Sequence, residues 1–204
     1  MKRPLEGITV VGLEQVIAGP FCTRQLAELG ARVIKIERTG GGDAARGYDR
    51  SVKGQSSHFV WVNRSKESLC LDLKHPGAKA VLDRLMQKAD IFVQNLAPGA
   101  AERLGLGAAA LRAKNPRLIW CGISGYGPGG PYAAKKAYDL LVQCEAGLLV
   151  AMKPPFNLDG FEPRMDAIPA LGAHSSAILT ELGFDSFEIE NMKRENIIQE
   201  EKGT

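Results

Sequence analysis

From Ile8 to Leu13 the chain is apolar without interruption, and Phe21 to Leu29 then places apolar residues at helical spacing until Gly30 ends the pattern. Between them Gly19-Pro20 supplies a turn and a proline suited to a helix's first position. Arg32 to Glu37 alternates charged and apolar side chains, which predicts a second strand with one face to a core and Arg32, Lys35 and Glu37 toward solvent. Strand, helix and strand in this order make a βαβ unit.

The later pattern repeats the theme. Gly40 to Gln55 is rich in glycine and charge and reads as a surface loop, with Gly40-Gly41-Gly42 a flexible connection, leading into a helix around Ser56 to Asn63. Strands are expected at Ser68 to Leu73, Asp90 to Gln94 and Leu118 to Ser124. Helices are expected at Ala78 to Lys88, with Val81, Leu82, Leu85 and Met86 on one face, and, as shorter pieces, at Pro98 to Leu104 and Ala108 to Lys114. Tyr126 to Tyr132 is a loop, and Tyr138 to Leu149 returns to a helical pattern. From Ala151 to Pro169 the chain is proline-rich and extended. His174 to Leu182 and Ser186 to Asn196 then form a helical tail, the second opened by Asp185, Glu188 and Glu190. The fold class is α/β, a Rossmann-like parallel sheet flanked by helices with a helical C-terminal tail.

Composition narrows the functions such a fold serves. With 204 residues, 45% hydrophobic and 24% charged, the chain suffices for one good core, and its formal net charge of +3 implies no nucleic-acid partner. No apolar run is long enough to cross a bilayer, and Met1 to Pro4 leads straight into the first strand without room for a secretory signal, so a cytoplasmic location is expected. Cys22, Cys70, Cys121 and Cys144 lie far apart and read as free thiols, and with His58, His75 and His174 equally scattered no metal site is expected. No G-x-G-x-x-G opens the first helix, which argues against a nicotinamide enzyme. A ligand is still expected where strand ends meet helix N-termini.

The residues at that edge resemble a family, the class III coenzyme A (CoA) transferases, a group of formyl-CoA and succinyl-CoA:dicarboxylate transferases, carnitine-CoA transferases and acyl-CoA racemases. The likeness is carried in order by Val16-Ile17-Ala18-Gly19-Pro20-Phe21, Val33-Ile34-Lys35-Ile36-Glu37, Gly42-Asp43, Asn63-Arg64-Ser65-Lys66, Leu71-Asp72-Leu73-Lys74, Asn95-Leu96-Ala97-Pro98-Gly99, Arg103-Leu104-Gly105-Leu106 and Gly125-Tyr126-Gly127. It implies CoA contacts at Val16, Ala18, Arg38, Leu71, Lys74, Asn95, Leu96, Arg103, Lys136 and Tyr138. It also implies CoA or acyl-CoA and a carboxylic acid as substrates, no permanently bound cofactor, and an interlocked homodimer for the intact family.

Transferases of this family use an aspartate nucleophile through acyl-aspartyl anhydride and aspartyl-CoA thioester intermediates. The resemblance puts that nucleophile shortly beyond the equivalent of Gly147, in a stretch that this chain lacks: Ala146 to Lys153 joins the two family segments almost directly. The expected organisation is therefore residues 1–150 as the N-terminal part of the CoA-binding domain and residues 151–204 as a C-terminal segment packing back on it, with the family's small domain absent. Asp139 matches the aspartate of the family's racemases, but Ala109 stands where their histidine would be. A helix N-terminal carboxylate is the simpler reading of Asp139. The expected function is a CoA transferase lacking its nucleophile, with a racemase or a noncatalytic CoA-binding remnant as alternatives.

Overall fold

A computed structural model describes residues 2–127, 129–135, 137–138 and 170–200. Strands β1 (Thr9–Leu13), β2 (Arg32–Glu37), β3 (Glu67–Leu71), β4 (Ile91–Gln94), β5 (Ile119–Gly122) and β6 (Ile198–Gln199) form one sheet in the order β5-β4-β1-β2-β3-β6. Every neighbouring pair is parallel except β3 and β6, in which Cys70 faces Gln199 and Leu71 faces Ile198. This is the expected α/β architecture.

Helices cover the sheet because alternate strand residues point to opposite faces. Val10, Val33 and Val93 pack with Ala27 of α1 (Ala18–Glu28) on one side. Val11, Ile34 and Phe92 belong to the larger core on the other, with Val81, Leu82 and Leu85 of α3 (Ala78–Lys88). Between these elements run a 3-10 turn at Ala44–Gly47 and helix α2 (Ser57–Asn63), and after β4 come α4 (Ala100–Arg103) and α5 (Ala108–Lys114). Helix α1 stops where expected: Gly30, at φ +103°, sends its N–H to the Ala27 carbonyl while Ala31 N–H reaches Leu26.

Two expectations need correction. In β2, Arg32 shares its face with Ile34 and Ile36, whereas Lys35 and Glu37 share theirs with Val33. Neither Lys35 (1% exposed) nor Glu37 (3%) reaches solvent. A strand between two parallel neighbours is covered on both faces, so its charged residues are buried and must be paired. The second concerns the tail, where α6 (Ser175–Glu181) and α7 (Ser186–Arg194) form as expected but are followed by β6, a strand not among those expected. The expected helix at 138–149 and the proline-rich stretch at 151–169 lie outside the described residues, apart from Tyr138.

Residues 170–200 are fastened to β3. Gly172 N–H donates to Ser68 Oγ (3.1 Å), Cys70 N–H to Ser175 Oγ (3.1 Å), and Ser175 Oγ donates to the Gln199 carbonyl (3.1 Å). A Cβ on Gly172 would lie 2.0 Å from that same Gln199 carbonyl, so only glycine lets the two segments approach this closely.

Candidate functional site

Because β1 to β5 are parallel, their carboxyl ends finish on one rim. The segment after β1 is the most constrained part of it. Val16 has φ +64°, an uncommon conformation for a β-branched residue and one that costs about 1–3 kcal/mol unless its surroundings enforce it. Three contacts do so. Asn95, just past β4, accepts the Gln15 N–H at Oδ1 (2.8 Å) and donates from Nδ2 to the Gln15 carbonyl (2.9 Å). Asp43 accepts the Val16 N–H at both oxygens (3.0 and 3.2 Å). Lys35 Nζ donates to the Glu14 carbonyl (3.2 Å) and to Asp43 Oδ2 (2.8 Å). Gly19 completes the fit, since a Cβ there would sit 2.9 Å from Asn95 Oδ1 and from Glu14 Cβ.

Beneath this turn lies a buried ionic network. Glu14 accepts from Thr23 Oγ1 (2.8 and 2.7 Å) and from Lys66 Nζ (2.7 Å), and Lys66 also donates to the Pro20 carbonyl (2.8 Å) and Asn63 Oδ1 (3.1 Å). Glu37 accepts from Arg46 Nε (2.8 Å) and Nη2 (2.6 Å), from Ser68 Oγ (2.7 Å) and from the Asp43 N–H (3.0 Å). Carboxylates Glu14, Asp43 and Glu37 thus stand against Lys35, Lys66 and Arg46 in equal number. Burial pulls Lys66 down to about 8, with the Glu14 charge opposing the shift. For Glu37 burial pushes upward, but the hydrogen bonds and charge of Arg46, aided by Lys35 and Ser68, outweigh it and hold the carboxyl below its usual range.

What the rim shows to solvent is different in character. Gln15 and Ala18 are exposed, and α1 begins at Ala18, just after Ile17, with no side chain capping its first N–H groups and no acidic residue in its first turn. Arg38 is exposed after β2, its Nε donating to the Gly42 carbonyl (2.8 Å), which ties it to the loop that carries Asp43. Lys74 is exposed after β3, its N–H held by Asp72 Oδ1 (3.0 Å). Arg103 is exposed on α4, with Nη1 2.9 Å from where a Gly99 Cβ would be.

The positions implied by the resemblance therefore fall into groups. Val16, Ala18, Asn95 and Arg38 are joined through the turn after β1 and its clasps, while Lys74 and Arg103 flank them on the same rim. Leu96 is half-buried against the core with its N–H on Gln94 Oε1 (2.8 Å). Leu71 is fully buried and carries its side chain into the core, so it offers the rim no more than its main chain. Tyr138 is exposed, and Lys136 and Asp139 lie outside the described residues. Among the described residues no three His, Cys, Asp or Glu side chains are grouped to hold a metal, and no helix is long and apolar enough to cross a membrane. A small cavity bounded by Thr9, Arg32, Leu85, Lys88 and Glu181 lies at the opposite, amino end of the strands.

The model of CoA-transferase family III matches residues 5–180, most of the chain. The chain belongs to CoA-transferase family III. It is 45% identical over 163 residues to the acetyl-CoA:oxalate CoA-transferase of Acetobacter aceti, a match covering 78% of this chain and 42% of that enzyme. It is 38% identical over 162 residues to the human succinyl-CoA:glutarate CoA-transferase, covering 79% and 37%. Among solved structures, a CAIB/BAIF family protein from Brucella suis matches with TM-score 0.68 and 28% identity, covering 98% of this chain and 52% of that one. A hypothetical protein (Rv3272) from Mycobacterium tuberculosis matches with TM-score 0.66 and 32% identity, covering 96% and 52%. The chain spans about half the length of these solved relatives and 42% or less of the two transferases.

Within this family III member, Glu14, Thr23, Asp43, Arg46 and Lys66 stand outside the contact positions that the resemblance implies, although Asp43 and Lys66 belong to its motifs. A signal for them existed. Glu14 directly follows the mostly apolar strand β1 and Lys66 directly precedes β3, positions where a charge is carried inward and has to find its opposite.

Proposed function

We propose that this chain carries the CoA-binding rim of a family III transferase, taking CoA or acyl-CoA with a carboxylic acid as the second substrate, and that it binds CoA without turning it over. The observation that carries the reading is the turn at 15–18: exposed at Gln15 and Ala18, backed by the uncapped start of α1, and flanked by the exposed cations Arg38, Lys74 and Arg103. A helix N-terminus with nearby Arg and Lys suits phosphate oxygens, and guanidinium contacts of this kind are charge-assisted. From β4 to β3 the rim runs three strand spacings of about 4.8 Å, roughly 15 Å, room for a nucleotide to lie along it.

Absence of turnover is supported by two local features of the sequence. The resemblance places the nucleophile shortly beyond the equivalent of Gly147, where Ala146 to Lys153 joins the two family segments almost directly. The racemase alternative has Ala109 in place of its histidine. Residues 1–150 and the C-terminal segment from 151 are taken as one CoA-binding unit, cytoplasmic in location, and the interlocked homodimer belongs to the proposal only for the full-length family.

Calorimetric titration with CoA tests the reading. Binding is expected, with Arg38→Ala and Lys74→Ala each weakening it about 10- to 150-fold, the scale of one lost hydrogen bond to a charged group. No CoA exchange between two acids and no α-proton exchange with deuterated solvent are expected. A chain without affinity for CoA would overturn the binding reading, and exchange at an enzymatic rate would overturn the absence of turnover.

A further inference from the structure

We propose that Asp43 is a positioning residue, holding Val16 in its left-handed conformation and thereby shaping the turn on which CoA binding depends. The inference rests on the CoA reading of the rim and adds to it a residue outside the expected contact set.

The geometry is one-sided. Asp43 is buried and spends its acceptors inside the protein, on Val16 N–H (3.0 and 3.2 Å), Ala45 N–H (2.9 Å) and Lys35 Nζ (2.8 Å). It therefore acts on the rim through Val16. Its own main chain is anchored by the Asp43 N–H to Glu37 Oε1 (3.0 Å), so β2 holds this residue twice, the carboxylate through Lys35 and the backbone through Glu37. Lys35 closes the circuit by also holding the Glu14 carbonyl (3.2 Å), one residue before the turn. Nothing intrinsic to valine favours φ +64°, so the conformation exists because the Val16 N–H is drawn to a buried carboxylate on one side while Asn95 pins Gln15 on the other. Glycine adopts the same φ freely, which separates holding the turn from merely filling space.

The test is a cycle of Asp43→Asn and Val16→Gly, read by CoA affinity and by the amide proton resonance of residue 16. Asp43→Asn alone is expected to weaken CoA binding at least 10-fold and to shift the Val16 amide resonance. Combined with Val16→Gly, the same Asp43 substitution is expected to cost less than 3-fold, because a glycine needs no carboxylate to hold it. An Asp43→Asn protein that binds CoA as the wild type does, or one whose 10-fold loss persists unchanged beside Val16→Gly, overturns the proposal. If Asp43→Asn does not fold, Asp43→Glu, which keeps the charge and displaces it by one methylene, supplies the same comparison. A wild type that fails to bind CoA overturns the reading of the rim. In that event the amide resonance still decides whether Asp43 holds the turn: a shift on Asp43→Asn upholds it, and an unmoved resonance refutes it.

Discussion

Lys66 shows how much of this protein's stability is staked on single residues. Its ammonium is fully buried, bonded to Glu14, the Pro20 carbonyl and Asn63, and its charge balances a Glu14 carboxylate that is equally enclosed. Removing one partner of a buried pair strands the other charge, a loss of about 3–5 kcal/mol. Lys66→Met, which keeps the length of the side chain, is expected to fall in that range by urea unfolding. Adding Glu14→Gln should restore more than half of the loss, because the stranded charge goes with it. Little of this was legible in the residues taken singly. Lys35 and Glu37 read as solvent-facing because alternation tells which residues share a face and says nothing of what covers that face. The deciding fact, that β2 lies between β1 and β3 beneath α1, belongs to the topology.

Elements whose signal is local are legible in the sequence, and those made by a distant partner are not. Helices α3 and α5 were read to their observed ends because periodicity and flanking breakers lie within the segments themselves. Strand β6 is two residues long, has no alternation to detect, and exists because β3 offers an edge to it. The turn after β1 is likewise made by Asn95 and Asp43, 80 and 27 positions away from the residues they hold. Glu37 links these elements and makes their union depend on pH. Its folded pKa lies below the ordinary carboxyl value of 4.5, so its contribution is present above that value and is lost as the pH falls toward the folded pKa. Stability measured by urea unfolding should decline from pH 5 downward, and Glu37→Gln should flatten that decline while lowering stability at pH 7. An acid limb of equal steepness in the variant would show that Glu37 is not its source.

The whole molecule depends on residues remote in sequence closing one core. Ile178, Leu179, Leu182, Phe184, Ile189, Ile197 and Ile198 are buried, all in the cluster that contains Leu69, Leu71 and Val81. A fully buried side chain of this kind contributes about 1.5–3 kcal/mol, so the seven together represent roughly 10–20 kcal/mol of gross burial. That gross loss is comparable to the 5–15 kcal/mol of net stability a typical domain possesses. The N-terminal βαβ units therefore cannot be expected to stand without this segment, however complete their sheet looks in the sequence. A chain ending at residue 169 is expected to lose its cooperative thermal transition, to bind a hydrophobic dye through the uncovered side of β3 and α3, and to lose CoA affinity although every rim cation is still present. If it melts cooperatively near the full chain's temperature, the seven residues lie on the core without being needed by it, and the rim's geometry is set by the N-terminal units alone.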